Sequence, residues 1–224
     1  MIAAIALPAA GSIAERPAEL VVLLGALALV PVVLVTLTSF LKMSVVLSIT
    51  RSALGAPQVP PNSAVTGLAL LLSIVVMAPV AEDAARAARA APTERGVGST
   101  LDAAQRAAEP LRAFLARHAR PDDRAAFVEL AQRVRPASEA ATDADFAVLA
   151  PAFVVSELRR AFTIGFLVFV PFLVVDLLVS NVLLALGLTQ LSPTSVALPF
   201  KLLLFVAVDG WKLLARGLVL SYGG

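Results

Sequence analysis

With 59% of its 224 residues hydrophobic and a mean hydropathy of +0.89, the chain is more apolar than a soluble domain, which runs at roughly 45–50%. The 18 basic and 16 acidic residues leave a net charge of +2, too small to suggest a nucleic-acid surface, and the absence of cysteine excludes disulfides and thiolate metal sites. This composition is that of a membrane protein.

Met1–Ala10 is apolar, but no basic residue precedes it as in a signal peptide. Residues 1–18 therefore read as an N-terminal lead-in, with cleavage left open. Residues 19–81 read as a first helical hairpin. Leu20–Leu41 is a charge-free run long enough to cross about 30 Å of hydrocarbon. The hairpin tip is RSALGAPQVPPN, where Arg51 is followed by Gly55, Pro57, Pro60 and Pro61, which forbid a continuous helix. Asn62 or Ser63 is placed to cap the returning helix, whose apolar part begins near Ala64.

Residues 82–151 form a polar, helical insert. Between Glu82 and Arg160 lie 12 of the 18 basic and 12 of the 16 acidic residues, so this stretch is charged yet neutral overall. APTERGVGST reads as a mobile link. Two short amphipathic helices follow, broken at Arg120-Pro121. Leu111, Phe114 and Leu115 give one apolar stripe, and Phe127, Leu130 and Val134 give the other. Asp122 is placed to cap the second. His118, the single histidine, has no cysteine and no second histidine nearby, so a metal role is not expected.

Residues 152–224 read as a second hairpin, with its tip at LGLTQLSPTS and a last apolar segment from about Val196 to Leu220. The two tips match at a constant offset: Ala53, Leu54, Gly55, Gln58 and Pro61 correspond to Ala185, Leu186, Gly187, Gln190 and Pro193. Either an internal repeat or two similar Gly/Pro turns accounts for this. Pro31, Pro79 and Pro171 interrupt long helical runs and predict bends. Arg51 favours a cytoplasmic first tip; an even number of crossings then sets the insert on the opposite side.

Lys42, Asp176, Lys201 and Asp209 interrupt apolar runs. Each costs about 2.5–3.5 kcal/mol at a lipid-facing helix centre, so the four must be partnered, interfacial or hydrated. Asp209 and Lys212 are three apart and can meet on one helix face. Asp176 can answer Lys42 or Lys201, and both lysines lie near run ends, where they can snorkel. Pairing within a bundle, burial at subunit interfaces around a pore, and the ion site of a secondary transporter all fit. Enzyme signatures for metal, phosphate or acyl-transfer chemistry are absent from the sequence.

TSFLKMSVVLSITRSALGAPQVPPN, PAFVVSELRRAFTIGFLVFVPFLVVDLLVSNVLLALG and SPTSVALPFKLLLFVAVDGWKLLARGLVLSY together resemble the FliP/SctR family of core export-apparatus proteins in bacterial type III secretion. The Leu191-Ser192-Pro193 tip and the G-L-V-L-S-Y ending look more like the injectisome branch than the flagellar one. The resemblance implies an all-α, non-enzymatic, multi-pass inner-membrane subunit without a cofactor. Its partners would be copies of itself in a pentamer, small Q-type and R-type membrane subunits, and secreted, unfolded polypeptides. The helices would assemble into a helical oligomeric channel, with the insert on the periplasmic side. Lys42, Glu157, Asp176, Lys201, Asp209 and Lys212 would then be buried charges that serve assembly. Leu188, Thr189, Gln190 and Leu191 would form the pore constriction, at a loop that is commonly methionine-rich in the family.

Overall fold

The computed structural model describes residues 17–56, 59–90, 97–136 and 140–223. Helix is the only regular secondary structure among them: α1 Pro17–Thr36, α2 Phe40–Ala53, α3 Asn62–Arg89, α4 Val97–His118, α5 Pro121–Val134, α6 Phe146–Ala185, α7 Pro193–Ala207 and α8 Gly210–Leu220. Pro57 and residues 91–96 of the anticipated link lie outside the described residues.

Two apolar runs that look continuous in sequence are broken. Leu20–Leu41 is divided at Leu37–Ser39, where hydroxyls take over from the helix ladder. The Thr38 hydroxyl donates to the Leu34 carbonyl at 2.6 Å and accepts from the Phe40 N–H at 3.2 Å. Ser39 meets Ser73 of α3 at 2.9 Å. The last segment is divided between α7 and α8 at Asp209, a left-handed residue at φ 50°. Directly after it, a Cβ on Gly210 would lie 2.2 Å from the Phe205 ring, so the corner admits only glycine without a shift.

Helix ends also differ from the sequence reading. The residue flanking α3 is Pro61, not Asn62 or Ser63, and α3 continues through the charged EDAARAAR to Arg89. Arg120 flanks α5, with Pro121 in its first turn, so Asp122 lies inside the helix and pairs with Arg120 at 3.5 Å instead of capping it. Pro31, Pro79 and Pro171 lie within α1, α3 and α6.

α2 and α6 form the centre of the fold. Their closest approach is at Gly165, where an added Cβ would lie 2.5 Å from Ile49 Cδ1. One apolar core gathers Met43, Val46 and Leu47 of α2, Ala69 of α3, Phe172 of α6, Phe205 of α7 and Leu218 of α8. A second joins Phe114 and Leu115 of α4 to Leu149 and Phe153 of α6. Each fully buried side chain of this kind contributes about 1.5–3 kcal/mol. Of the second predicted stripe only Phe127 packs; Leu130 and Val134, farther along the helix from the Asp123–Ser156 link that holds α5 to α6, are exposed.

α3 and α6 are long and apolar enough to cross a membrane, and little of their apolar surface is buried within the chain. α6, at 40 residues, is about 60 Å long, twice the hydrocarbon thickness. Phe162, Phe166, Leu167, Leu177 and Leu178 lie exposed along it. α2 has 14 residues and at about 21 Å is too short to cross.

Candidate functional site

Two buried polar clusters and one exposed tip stand out. The first cluster centres on the S-E-L-R-R segment of α6. Lys42 and Glu157 have no exposed side-chain surface, and Lys42 Nζ lies 3.3 Å from Glu157 Oε2. The ammonium is not aligned for a hydrogen bond. Its stabilisation is therefore coulombic, supplemented by the Tyr222 ring, whose centroid is 3.4 Å from Nζ. The Tyr222 hydroxyl donates to Glu157 Oε2. Arg160 Nη1 donates to Glu157 Oε1 and to the His118 carbonyl, both at 2.7 Å. One carboxylate thus gathers groups from α2, α6 and the C-terminal tail, and through Arg160 reaches the end of α4.

Desolvation dominates around this carboxylate. Burial pushes the Tyr222 hydroxyl up, and the adjacent Glu157 charge adds to the shift. Burial lowers the Lys42 amine and the His118 imidazole, with Glu157 opposing both. One helical turn away, buried Asp123 of α5 accepts from the Ser156 hydroxyl at 2.6 Å and from Arg159 at 3.2 Å. Ser156 in turn accepts from the Arg120 N–H at 2.9 Å.

The second cluster lies at the end of α2, where it meets α6 and α7. Lys201 Nζ donates to Asp176 Oδ2 at 2.6 Å and to the Ala53 carbonyl at 3.2 Å. That carbonyl ends α2, where a cation answers both an unpaired acceptor and the helix dipole. Gly55 follows at φ 76°. A Cβ there would lie 3.6 Å from Lys201 Nζ and 3.7 Å from Thr194 Cγ2. Arg51 donates to Asn62 across the same tip, and Pro61 is exposed beside it.

The second tip closes α6 with paired bonds: the Leu188 N–H donates to the Leu183 carbonyl at 2.9 Å, and the Gly187 N–H to Leu184 at 3.0 Å. Gly187 is left-handed at φ 72°, like Gly55. The offset noted in sequence therefore joins two helix ends with the same terminating glycine. Leu188, Thr189, Gln190 and Leu191 are all exposed in this turn.

Of the charged residues singled out from sequence, Lys42 meets Glu157 and Lys201 meets Asp176. Neither lysine snorkels; both are buried. Asp209 and Lys212 do pair, at 3.6 Å, but their side chains are 68% and 77% exposed within this chain. Asp209 is held at a left-handed corner and α8 turns Lys212 outward, so the burial anticipated for them is not found in the single chain.

The sequence model of the FliP family matches residues 23–218. The chain belongs to the FliP family. It is 49% identical to Pathogenicity-related ORF2 of Xanthomonas campestris pv. glycines, over 91% of this chain and 95% of that protein. It is 45% identical to the Hypersensitivity response secretion protein HrcR of Ralstonia nicotianae, over 92% and 97%. With the Flagellar biosynthetic protein FliP of Caulobacter vibrioides it shares 42% identity, over 93% and 77%. In this FliP-family chain, sequence reasoning assigned no polar role to Tyr222, Arg160, Ser156 or Asp123, and set His118 apart from Lys42. The signal available was SELRR, four polar residues in five within a 40-residue, largely apolar helix.

Proposed function

We propose that the chain is a membrane subunit of the protein-conducting export gate of a bacterial type III secretion system, of the injectisome type. The observation that carries this reading is the FliP-family match across nearly the whole chain, including relatives named for secretion and flagellar biosynthesis. The exposed apolar faces of α3 and α6 support it, since a monomer in water would not leave such surface bare. So does the length of α6: its charged N-terminal third packs on the insert, and the remainder, apolar apart from the paired Asp176, is available to hydrocarbon or to neighbouring subunits. The ion-coupled transporter considered from sequence loses its motive, because Lys42, Asp176 and Lys201 are occupied in structural pairs.

In this reading the chain assembles with copies of itself, as a pentamer, and with small Q-type and R-type subunits in the inner membrane, with the insert on the periplasmic side. Leu188–Leu191 line the constriction. Leu188 and Leu191 are 44% and 49% exposed, unsupported by their own chain and available to close a ring by apolar contact and dewetting. The chain supplies no energy; unfolded substrate enters under force from elsewhere. Replacing Leu188 and Leu191 together with serine in the assembled complex should raise resting small-ion conductance about tenfold or more, the scale of losing roughly 1.4 kcal/mol or more of closed-state preference. Unchanged conductance in a fully assembled complex would place the seal elsewhere.

A further inference from the structure

Tyr222 is the third residue from the end of the chain, yet it touches both apolar cores and three other elements. Its hydroxyl is spent on Glu157 of α6, and one ring face on the Lys42 ammonium of α2. The ring stacks on Phe114 of α4 at 5.9 Å and meets His118 edge-on at 5.0 Å. Among the described tail residues, Tyr222 is half-buried and Ser221 and Gly223 are exposed. The backbone of 221–223 bonds back onto α8, so among the described residues the tail is joined to α2, α4 and α6 through the Tyr222 ring and hydroxyl.

His118 of α4 lies directly against the Tyr222 ring and is 8% exposed. The charged groups facing it are Lys42 from α2, Arg117 from its own helix, and Glu157 and Arg160 from α6, with the neutral Tyr222 hydroxyl from the tail. Asp123 of α5 is engaged by Ser156 and Arg159. Lys42 and Arg160 thus share one carboxylate, while Arg117 is exposed. A protonated His118 makes a third cation competing for Glu157, whose oxygens are already taken by Tyr222, Lys42 and Arg160. Such a charge excess requires water. Leu115, Leu149 and Phe153 hold α4 against α6 beside this cluster, which leaves the tail as the side on which water enters.

We propose that the C-terminal tail is an acid-released latch: Tyr222 clasps α4 to α2 and α6 while His118 is neutral, and lets go when His118 is protonated. Burial holds the latched imidazole below its ordinary value. The closed form therefore binds fewer protons than the open one. It is favoured above about pH 6.5 and loses ground as pH falls from there.

The chain has no cysteine, so a spin-label pair can be placed at Gln105→Cys on α4 and Gly223→Cys on the tail, both exposed positions. Intrachain distances are read by pulsed electron resonance in the detergent-purified complex, with labelled chain diluted by unlabelled chain. Between about pH 8 and about pH 5 the ratio of short to long distances should fall by about tenfold for each unit by which latching disfavours the proton. His118→Gln should keep the short distance at both pH values, and Tyr222→Ala should give the long one at both. An unchanged wild-type distribution overturns the latch, as does a short distance in Tyr222→Ala. A pH response retained in His118→Gln overturns His118 as the trigger.

Discussion

Glu157→Gln removes one charge and almost no volume, and its consequence can be worked from the first cluster. Lys42 keeps its place with no exposed surface, the Tyr222 ring on one side and Arg160 nearby, but no anion. The least costly response is to release the proton. From an ordinary lysine value of about 10.4, at about 1.36 kcal/mol per unit, that costs about 4.6 kcal/mol at pH 7 and about 1.9 kcal/mol at pH 9. The first figure lies within the roughly 3–5 kcal/mol known for stranding a buried ion. In the variant the folded amine is neutral while the unfolded one stays protonated below about 10.4. The deficit against wild type therefore shrinks as pH rises. Followed by Trp211 fluorescence in the purified complex, the variant should melt roughly 10–15 °C below wild type at pH 7 and roughly 4–7 °C below at pH 9. Lys42→Met combined with Glu157→Gln should recover most of the difference at pH 7, since no buried cation remains. A deficit equal at the two pH values, or none at pH 7, would refute Glu157 as the counter-ion of Lys42.

Gly165→Ala should destabilise by about 1–3 kcal/mol through overlap with Ile49, and Ile49→Ala in the same chain should restore part of the melting temperature; independent, additive losses would contradict the close crossing of α2 and α6. At the α7–α8 corner, Asp209→Gly and Asp209→Asn should be tolerated, whereas Asp209→Ala should cost roughly 1 kcal/mol, because alanine gains nothing at a positive φ. Lys212 is solvated and is not stranded by any of the three, so equal losses in Gly, Asn and Ala variants would restore the ion pair as the cause. Before α6, hydrogen bonds from Thr142 and the Arg135 guanidinium hold the Asp145 carboxyl below 3.8. Its contribution is present above that value and is lost as pH falls further; Thr142→Val should move the acid loss to higher pH, as read from melts between about pH 5 and pH 3.

Much of the helical layout was legible because apolar runs and Gly/Pro breaks dictate it directly. The tip at Arg51–Asn62 and the break at Arg120-Pro121 rest on residues that cannot continue a helix. The divisions at Thr38-Ser39 and at Asp209 were not legible. In the first, hydroxyls replace ladder bonds without any Gly or Pro. In the second, a left-handed aspartate is fixed by the Phe205–Gly210 contact, which is tertiary. Spacing offered Asp176 two lysines, and only the fold assigns it Lys201. Tyr222 was invisible for a related reason. A single aromatic near the end of a chain carries no period, and its partners lie 65 residues away at Glu157 and far beyond that at Lys42. Asp209 and Lys212 interrupt an apolar run at a corner that no residue pattern announces, and within the single chain their side chains are exposed.

The Lys201 ammonium, anchored at once to the last carbonyl of α2 and to Asp176 in the last third of α6, ties α7 to both helices. If Leu188–Leu191 form the proposed constriction, a polypeptide dragging on them would load the α2 terminus through that nitrogen and through Thr194 beside Gly55.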